Sequence, residues 1–295
     1  MLNIFLPDRK GRGDFFKYMS EKCQGVDCAV LGKSILSSEI HSFKIGVGKR
    51  KIVSVAAHHG MEYITSSVLY YVVQKFSDNL TRHATSYGVN VAFLLQKFTF
   101  WFVPCLNPDG VDMMLSGAPE SPLKERETKM NGGEDFSSWQ ANARGVDLNH
   151  NYDFRFGEYK QIEAEENILP GRTRYSGEYP ESEPETRALA NLLRTLSPKL
   201  LISLHSQGKE VFSRPREDAR THRIAEKCAE ILGYKHSVPV GLADFGGLSD
   251  YAGEILGIPS LTVEVGRGKN PLPMSSLPAI CEGVYKLLCL LPTYL

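Results

Sequence analysis

The chain has 295 residues, of which 42% are hydrophobic and 23% are charged. This composition supports a sizeable folded core and argues against an intrinsically disordered protein. Lysine plus arginine and aspartate plus glutamate number 34 each, so no net charge favours nucleic acid or an acidic membrane surface as a partner. We therefore expect one large α/β domain or two small ones, with no nucleic-acid partner and no membrane partner.

The first residues of the sequence and the six cysteines indicate the cellular compartment of the protein. The segment MLNIFLPDRKGRGDFF lacks the charged, apolar and small-residue regions of a signal peptide. No stretch approaches twenty apolar residues, so we expect no membrane span. The six cysteines are scattered, none in a C-x-x-C pair, and are predicted to be reduced and mostly buried. These features predict a cytoplasmic protein.

Apolar, β-branched segments alternate along the chain with segments of helical periodicity. The predicted strands are KIVSVAA (51–57), FTFWFVPCL (98–106), KLLISLHS (199–206) and PSLTVEVG (259–266). The predicted helices cover 64–80, 182–196, 222–234 and 277–291. Ser182 and Glu185 form an S-x-x-E pattern that predicts a capping box at the second of these helices.

This alternation predicts an α/β fold in a single domain, with a mixed, mostly parallel twisted sheet and helices on both faces. We place the catalytic domain at residues 30–295 and treat residues 1–29 as an N-terminal extension packed on it. The polar segments 115–139 and 155–181 are interpreted as long functional loops rather than as domain boundaries.

Polar side chains stand at the ends of all four predicted strands. His59 follows the first strand, Asn107 to Gly110 follow the second, His205 ends the third and Glu264 lies near the end of the fourth. In open α/β sheets, ligands and catalytic groups gather beyond the carboxyl ends of the strands. The sequence therefore predicts one crevice that all four share.

His59 and Glu62 form H-x-x-E, two potential zinc ligands on one side of a turn. Taken alone, the pattern also fits an ordinary helix start with an acidic residue in its first turn. His205, at the same predicted edge of the sheet, favours a third metal ligand. The neighbouring His58 is one residue out of phase, and we interpret it as a surface residue or as a support for the ligands.

From about Val30 onward, the chain resembles the zinc carboxypeptidase family. Five motifs occur in the family's order: H-x-x-E, N-P-D-G (107–110), G-V-D-L-N (145–149), the lone His205, and T-V-E-V (262–265). The resemblance implies that His59, Glu62 and His205 hold one Zn²⁺ per chain, which activates water. It further implies that Glu264 is the general base and that Asp147 orients the first zinc histidine.

The donor that polarises the substrate carbonyl is left open between two residues. The family places an arginine there, often after a tryptophan, and alignment on Trp139 puts Gln140 at that position. Arg144 is the nearest guanidinium in the sequence and is the alternative catalytic candidate.

The sequence departs from digestive carboxypeptidases at the position that grips the substrate's terminal carboxylate. Where they carry Asn-Arg, this chain has Asn149-His150, and an imidazole lacks the bidentate fork of a guanidinium. Ser249, at a position that helps to set side-chain preference in the family, carries no charge.

The segments ARGVDLNHN, LHSQGKEVF and VEVGRGKNPLP are similar to the bacterial γ-D-glutamyl-L-diamino acid endopeptidases, which cut murein peptides between D-glutamate and diaminopimelate or lysine. Such a substrate presents a free α-carboxylate near the scissile bond and so requires a cation. The candidate cations are Arg144, Arg174, Arg267 and Lys269.

These observations predict a zinc metallopeptidase that hydrolyses the γ-D-glutamyl-diamino acid bond of small murein peptides. The first alternative is a zinc carboxypeptidase that removes C-terminal residues from ordinary peptides. The second, from another class, is a metal-binding or substrate-binding protein without catalysis, which the presence of all three ligands and Glu264 disfavours.

Overall fold

The computed structural model describes residues 5–118, 120, 124–214, 219–241 and 245–295. Its strands are β1 Val26–Lys33, β2 Glu39–Ile45, β3 Arg50–Ala56, β4 Thr85–Ser86, β5 Val89–Asn90, β6 Phe98–Val103, β7 Leu200–Ser206, β8 Glu210–Phe212, β9 Lys235–Ser237 and β10 Ser260–Val265. Its helices are α1 Arg9–Lys22, α2 Ile64–Thr81, α3 Val91–Lys97, α4 Pro108–Ser116, α5 Lys124–Asn131, α6 Phe156–Glu165, α7 Pro184–Leu196, α8 Ala219–Leu232, α9 Leu248–Asp250 and α10 Leu277–Leu290.

Eight of these strands form one sheet in the order β1-β2-β6-β3-β7-β10-β8-β9. The four central strands, β6, β3, β7 and β10, are parallel to one another. Antiparallel pairs join β1 to β2, β2 to β6 and β10 to β8 nearer the edges. The predicted α/β fold with a mixed, mostly parallel sheet is confirmed, and each of the four predicted strands lies in the parallel centre.

The period-2 geometry of the strands divides the core into two layers. In β7, Leu200, Ile202 and Leu204 pack into the apolar cluster that contains residues of α2, α8 and α10. Leu201, on the opposite face, packs with Leu189 and other residues of α7. The sheet is therefore buried on both faces, which explains why its central strands read as near-continuous apolar runs.

The C-terminal helix is strongly apolar. By length and composition, Met274–Tyr294 could cross a membrane, although half of the stretch is buried in the structure. Its buried side chains, which include Val284, Tyr285 and Leu288, belong to the core cluster shared with α2. Packing against the sheet thus accounts for the hydropathy of this helix.

The N-terminal region is part of the fold rather than an addition to it. The boundary predicted between residues 29 and 30 lies inside β1, the edge strand of the sheet. Phe15 and Met19 of α1 are fully buried in the core cluster. The sequence analysis did not predict α1, β1 or β2, because their apolar residues are diluted by charged ones. The segments predicted as long loops also contain the short helices α5 and α6.

The predicted capping box is not formed. The N-cap of α7 is Glu183, and Ser182 lies one residue earlier, where its hydroxyl donates to Glu183 Oε1 at 2.8 Å. Pro184 occupies the first helical position and moves the helix start one residue along the chain. Glu185 is instead fully buried, where burial and the nearby charges of Asp109 and Glu183 raise its pKa to about 8.

This burial predicts a pH dependence of stability. The folded state raises the pKa of Glu185 from 4.5 to about 8, so folding favours the protonated form. The contribution of this group to the free energy of unfolding is therefore full below pH 4.5 and is lost as pH rises through 8. We expect Glu185→Gln, which mimics the protonated acid, to raise the melting temperature by roughly 5 °C at pH 9 and by little at pH 4.5. Thermal unfolding at both pH values, with the exposed Glu178→Gln as control, measures this. An equal shift at both pH values would contradict it.

Candidate metal centre and cleft

The register of the two neighbouring strands β7 and β10 brings two of the predicted site residues together. His205 pairs directly with Glu264 across this parallel ladder. Both side chains lie on the face opposite Leu204 and Val263, which point into the core. A single-residue slip would put one of the two polar groups into the apolar layer, so burial fixes this register.

His59 and Glu62 come from the first turn after β3. His59 precedes a 3₁₀ turn, Gly60–Glu62, that continues into α2. The Nδ1 atom of His59 lies 3.1 Å from Glu62 Oε1, and the Nδ1 atom of His205 lies 3.1 Å from Glu62 Oε2. Ligand atoms of all three residues fall within 4.8 Å of one another. The structure therefore brings the three predicted ligands together around one point.

The second nitrogen of the His59 ring is also held, whereas the Nε2 atom of His205 is buried without a hydrogen-bond partner. The Nε2 atom of His59 lies 3.2 Å from Asp147 Oδ1, and Asp147 also accepts from the backbone N–H of Arg174 at 3.0 Å. His58 is fully buried and its ring stacks on that of His205 at 5.3 Å. The interpretation of His58 as a surface residue is wrong, while the alternative of a support beside the ligands agrees with this contact.

The loop that carries His59 is locked by the N-P-D-G motif. The Asn107 side-chain amide donates to the backbone carbonyls of His58 and Ala141 at 2.9 and 3.0 Å. Gly60 lies against Gly110 so closely that a Cβ on Gly60 would come within 2.3 Å of the Gly110 carbonyl oxygen. The first turn of the site thus depends on contacts that only glycine permits here.

Glu264 lies beside the three candidate ligands. Burial and the negative charge of Glu62 raise the pKa of Glu264 well above its usual range. Glu62 behaves in the opposite way, because the charges of His59 and His205 outweigh its burial and lower its pKa to about 2. The two carboxylates thus differ in pKa: Glu62 is suited to hold a cation, and Glu264 is suited to accept a proton.

A cleft of about 520 Å³ opens in front of these residues, and His59, His205 and Glu264 line it. Gln140 and Thr173 line it as well. The Thr173 hydroxyl donates to Gln140 Oε1, which orients the amide so that Nε2 is the group that can donate to a substrate. Of the two candidate carbonyl donors, Gln140 lines the cleft and Arg144 does not.

Three predicted cations are not brought to the cleft. Arg144 is paired bidentately with Glu183, its Nε and Nη2 atoms lying 3.0 and 2.9 Å from the two carboxylate oxygens. Because Glu183 is buried, this pair holds the guanidinium away from the site. Arg267 and Lys269 are exposed on the segment that follows β10, after Gly266 with its positive φ. None of the three is among the described residues that line the cleft, so their predicted roles find no support in its geometry and stay predictions.

The remaining predicted substrate-binding residues do line the cleft. His150 Nδ1 donates to the Phe245 backbone carbonyl at 2.9 Å, and its ring stacks on Tyr159. The Asn149 side chain accepts from the backbone N–H of Leu248 at 3.1 Å. The Ser249 hydroxyl lies 2.8 Å from that of Thr262. Each of these polar groups is thus already positioned by a protein contact.

The sequence analysis missed Arg214, which lines the cleft together with Asp250. Arg214 follows β8, a three-residue strand that pairs antiparallel with β10. Such a short strand has no detectable periodicity, so the position of Arg214 could not be recognised. The available signal was an arginine just beyond EVF, a segment next to the third predicted strand.

The donor set fits a zinc ion. Two imidazole nitrogens and a carboxylate converge from three directions, and three protein ligands leave a position for water or substrate. The Asp147 contact with His59 is of the kind that fixes the tautomer and direction of a zinc-bound imidazole.

Comparison with known proteins agrees with this site. A family model described as zinc carboxypeptidase matches residues 14–286. Gamma-D-glutamyl-L-diamino acid endopeptidase 1 from Lysinibacillus sphaericus is 30% identical over 258 residues, which cover 85% of this chain and 63% of that relative. Murein peptide amidase A from Escherichia coli (strain K12) is 25% identical over 231 residues, covering 76% of this chain and 75% of the relative.

The solved structure of thrombin activatable fibrinolysis inhibitor superposes with a TM-score of 0.73 at 19% identity, covering 97% of this chain and 73% of that one. This likeness concerns the fold. The chain spans only 63% of the length of the Lysinibacillus relative. The family match nevertheless covers most of the chain and includes the three grouped ligands. The chain belongs to the zinc carboxypeptidase family, whose cofactor is zinc.

Proposed function

We propose that this protein hydrolyses the amide bond between the γ-carboxyl group of D-glutamate and a diamino acid in small murein peptides. The observation that carries the proposal is the imidazole of His150 at the position where digestive carboxypeptidases hold the terminal carboxylate with arginine. Its Nδ1 is engaged by the Phe245 carbonyl, and an imidazole supplies no guanidinium fork at this position. The printed names of the two bacterial relatives, which refer to a γ-D-glutamyl bond and to murein peptides, support the same substrate class.

The proposed chemistry assigns one role to each group. His59, Glu62 and His205 would hold the zinc ion, which supplies a Lewis acid for the scissile carbonyl and lowers the pKa of water. Glu264 takes the proton from the attacking water and returns it to the leaving amine. The raised pKa of Glu264 suits this exchange, because the protonated and ionised forms are closer in free energy than for an exposed carboxyl group.

Gln140 donates from Nε2 to the carbonyl oxygen as negative charge develops on it. Thr173 holds the amide in that orientation, so the donor need not reorganise during the reaction. A neutral amide is a weaker donor than the arginine that the family places there.

The free α-carboxylate of a γ-linked D-glutamate requires a cation beside the scissile bond. Of the four candidates from the sequence, Arg174 alone lines the cleft. Its guanidinium also pairs with Glu166, and its backbone N–H binds Asp147. We therefore assign the α-carboxylate to Arg174. The predicted cytoplasmic location stays a prediction.

The first test compares two substrates on the zinc-loaded protein, with products identified by mass spectrometry. We expect release of diaminopimelate from L-Ala-γ-D-Glu-diaminopimelate and no cleavage of a blocked dipeptide with a free C-terminus. Glu264→Gln should abolish turnover while zinc content stays unchanged. Cleavage of the dipeptide alone would favour the carboxypeptidase alternative, and full activity in Glu264→Gln would overturn the assigned base.

Gln140 and Arg144 can be separated by matched substitutions. We expect Gln140→Ala to lower kcat roughly 100-fold with little change in KM, since the donor acts mainly on the developing charge. Arg144→Gln should leave kcat within about threefold, because this guanidinium is directed to Glu183. The reverse order of effects, in proteins with matching circular dichroism spectra, would return the donor role to Arg144.

Asp147 should act through the metal. We expect Asp147→Asn to weaken zinc affinity about 10- to 100-fold, because the His59 ring loses its anionic partner. Competition with a chelator of known affinity measures this. The exposed Asp153→Asn, six residues further along, serves as control. Unchanged zinc affinity in Asp147→Asn would contradict the assigned role.

A further inference from the structure

Two segments of the chain, LHSQGKEVF and VEVGRGKNPLP, meet beside the three candidate ligands. Ser206 lies in the first segment and Asn270 in the second. The Ser206 hydroxyl donates to Asn270 Oδ1 at 2.9 Å, and the Asn270 side-chain amide donates to the Ser206 backbone carbonyl. The backbone N–H of Gly208 donates to the Gly266 carbonyl at 3.1 Å. The two segments are therefore tied together where the β7–β10 ladder ends.

Asn270 uses both polar atoms of its side chain on this one residue. A single hydrogen bond lets its partner pivot, whereas two bonds to the hydroxyl and the carbonyl of Ser206 fix the orientation of that residue as well as its position. Ser206 is also buried, with only 3% of its surface exposed, so water does not readily replace either bond. Asn270 thus restricts the backbone directly after the candidate ligand His205.

The backbone N–H of Ser206 faces the other neighbour of β7, which is β3. The β3–β7 ladder ends at the pair Ala56 and Leu204, and β7 continues from there to Ser206. No residue of β3 is left to accept the Ser206 N–H, which donates instead to Glu62 Oε2 at 3.3 Å. In the described part of the chain, this N–H is the only hydrogen-bond donor to Glu62 apart from the two imidazoles.

We propose that Asn270 is a positioning residue for the metal centre, which holds Ser206 so that its N–H stays aimed at the Glu62 carboxylate. Carboxylates that bind metal are themselves oriented by hydrogen bonds, and loss of such a partner weakens metal binding. Asn270 is neither one of the grouped ligands nor one of the described residues that line the cleft. It acts through Ser206, and its role is the same whichever amide bond the enzyme cleaves.

A contact that only joins two loops would behave differently. Its loss would lower the melting temperature of the metal-free protein, but the folded protein would still bind metal with the same affinity and geometry. Zinc affinity and the coordination geometry of a bound metal therefore separate a positioning role from a structural one.

The experiment measures metal binding by the full chain after removal of metal and reloading. Competition with a chelator gives the zinc affinity, and the visible absorption of Co²⁺ in place of Zn²⁺ reports the geometry of its ligands. We expect Asn270→Ala to weaken zinc affinity about tenfold and to change the Co²⁺ absorption bands. The exposed Asn191→Ala, on α7, should leave both unchanged.

Ser206→Ala tests the path through Ser206 with a milder change, and it serves if Asn270→Ala does not fold. It removes the hydroxyl and keeps the carbonyl that accepts from Asn270, so we expect zinc affinity to fall only about threefold. The double variant should resemble Asn270→Ala, because the two substitutions remove the same restraint.

Wild-type zinc affinity and Co²⁺ bands in Asn270→Ala, with only the melting temperature lowered, would overturn the inference. Wild-type affinity in Ser206→Ala, or independent effects in the double variant, would overturn the path through Ser206. Neither measurement involves a substrate, so failure of the proposed substrate assignment would not affect the result.

Discussion

The pairing of β7 with β10 sets the distance between a candidate metal ligand and the carboxylate beside it. Parallel strands in register hold His205 and Glu264 on adjacent positions of one face, and the apolar residues between them fix that register from the other face. No loop geometry is needed for this half of the site. Packing of the core therefore also fixes the positions of His205 and Glu264. Strands hold side chains more precisely than loops do.

Buried polar contacts position His59 and Glu62, the other half of the site, beside the ends of β7 and β10. Asn107 binds the backbone carbonyls of His58 and Ala141, and Asp147 joins a neighbouring loop to His59. Asp147 and Glu62 are buried next to imidazoles that can carry the opposite charge. Glu62 lies between two imidazoles, where a cation would take the place of their direct contacts with it. A metal ion is therefore expected to stabilise the folded state as well as supply chemistry.

The sequence predicted the parts of the site that local spacing or strand ends determine. His59 and Glu62 are three residues apart on a turn, and His205 and Glu264 end buried strands, so their convergence follows from the fold class. The direction of a long side chain does not follow in this way. Arg144 is drawn to Glu183, 39 residues later in the chain, by a contact that no local pattern reveals. Arg214 depends on a three-residue strand, and α1 depends on the two buried side chains Phe15 and Met19. Tertiary contacts decide all three.

The location of zinc in the folded protein tests this account most directly. Anomalous diffraction at the zinc edge, on crystals of the zinc-loaded chain, would show how many metal ions bind and where. The account predicts one site, bounded by the Nδ1 atoms of His59 and His205 and by the Glu62 carboxylate, with Glu264 beside it and outside the ligand set. A metal ion bound elsewhere, or one coordinated by Glu264 in place of Glu62, would contradict it.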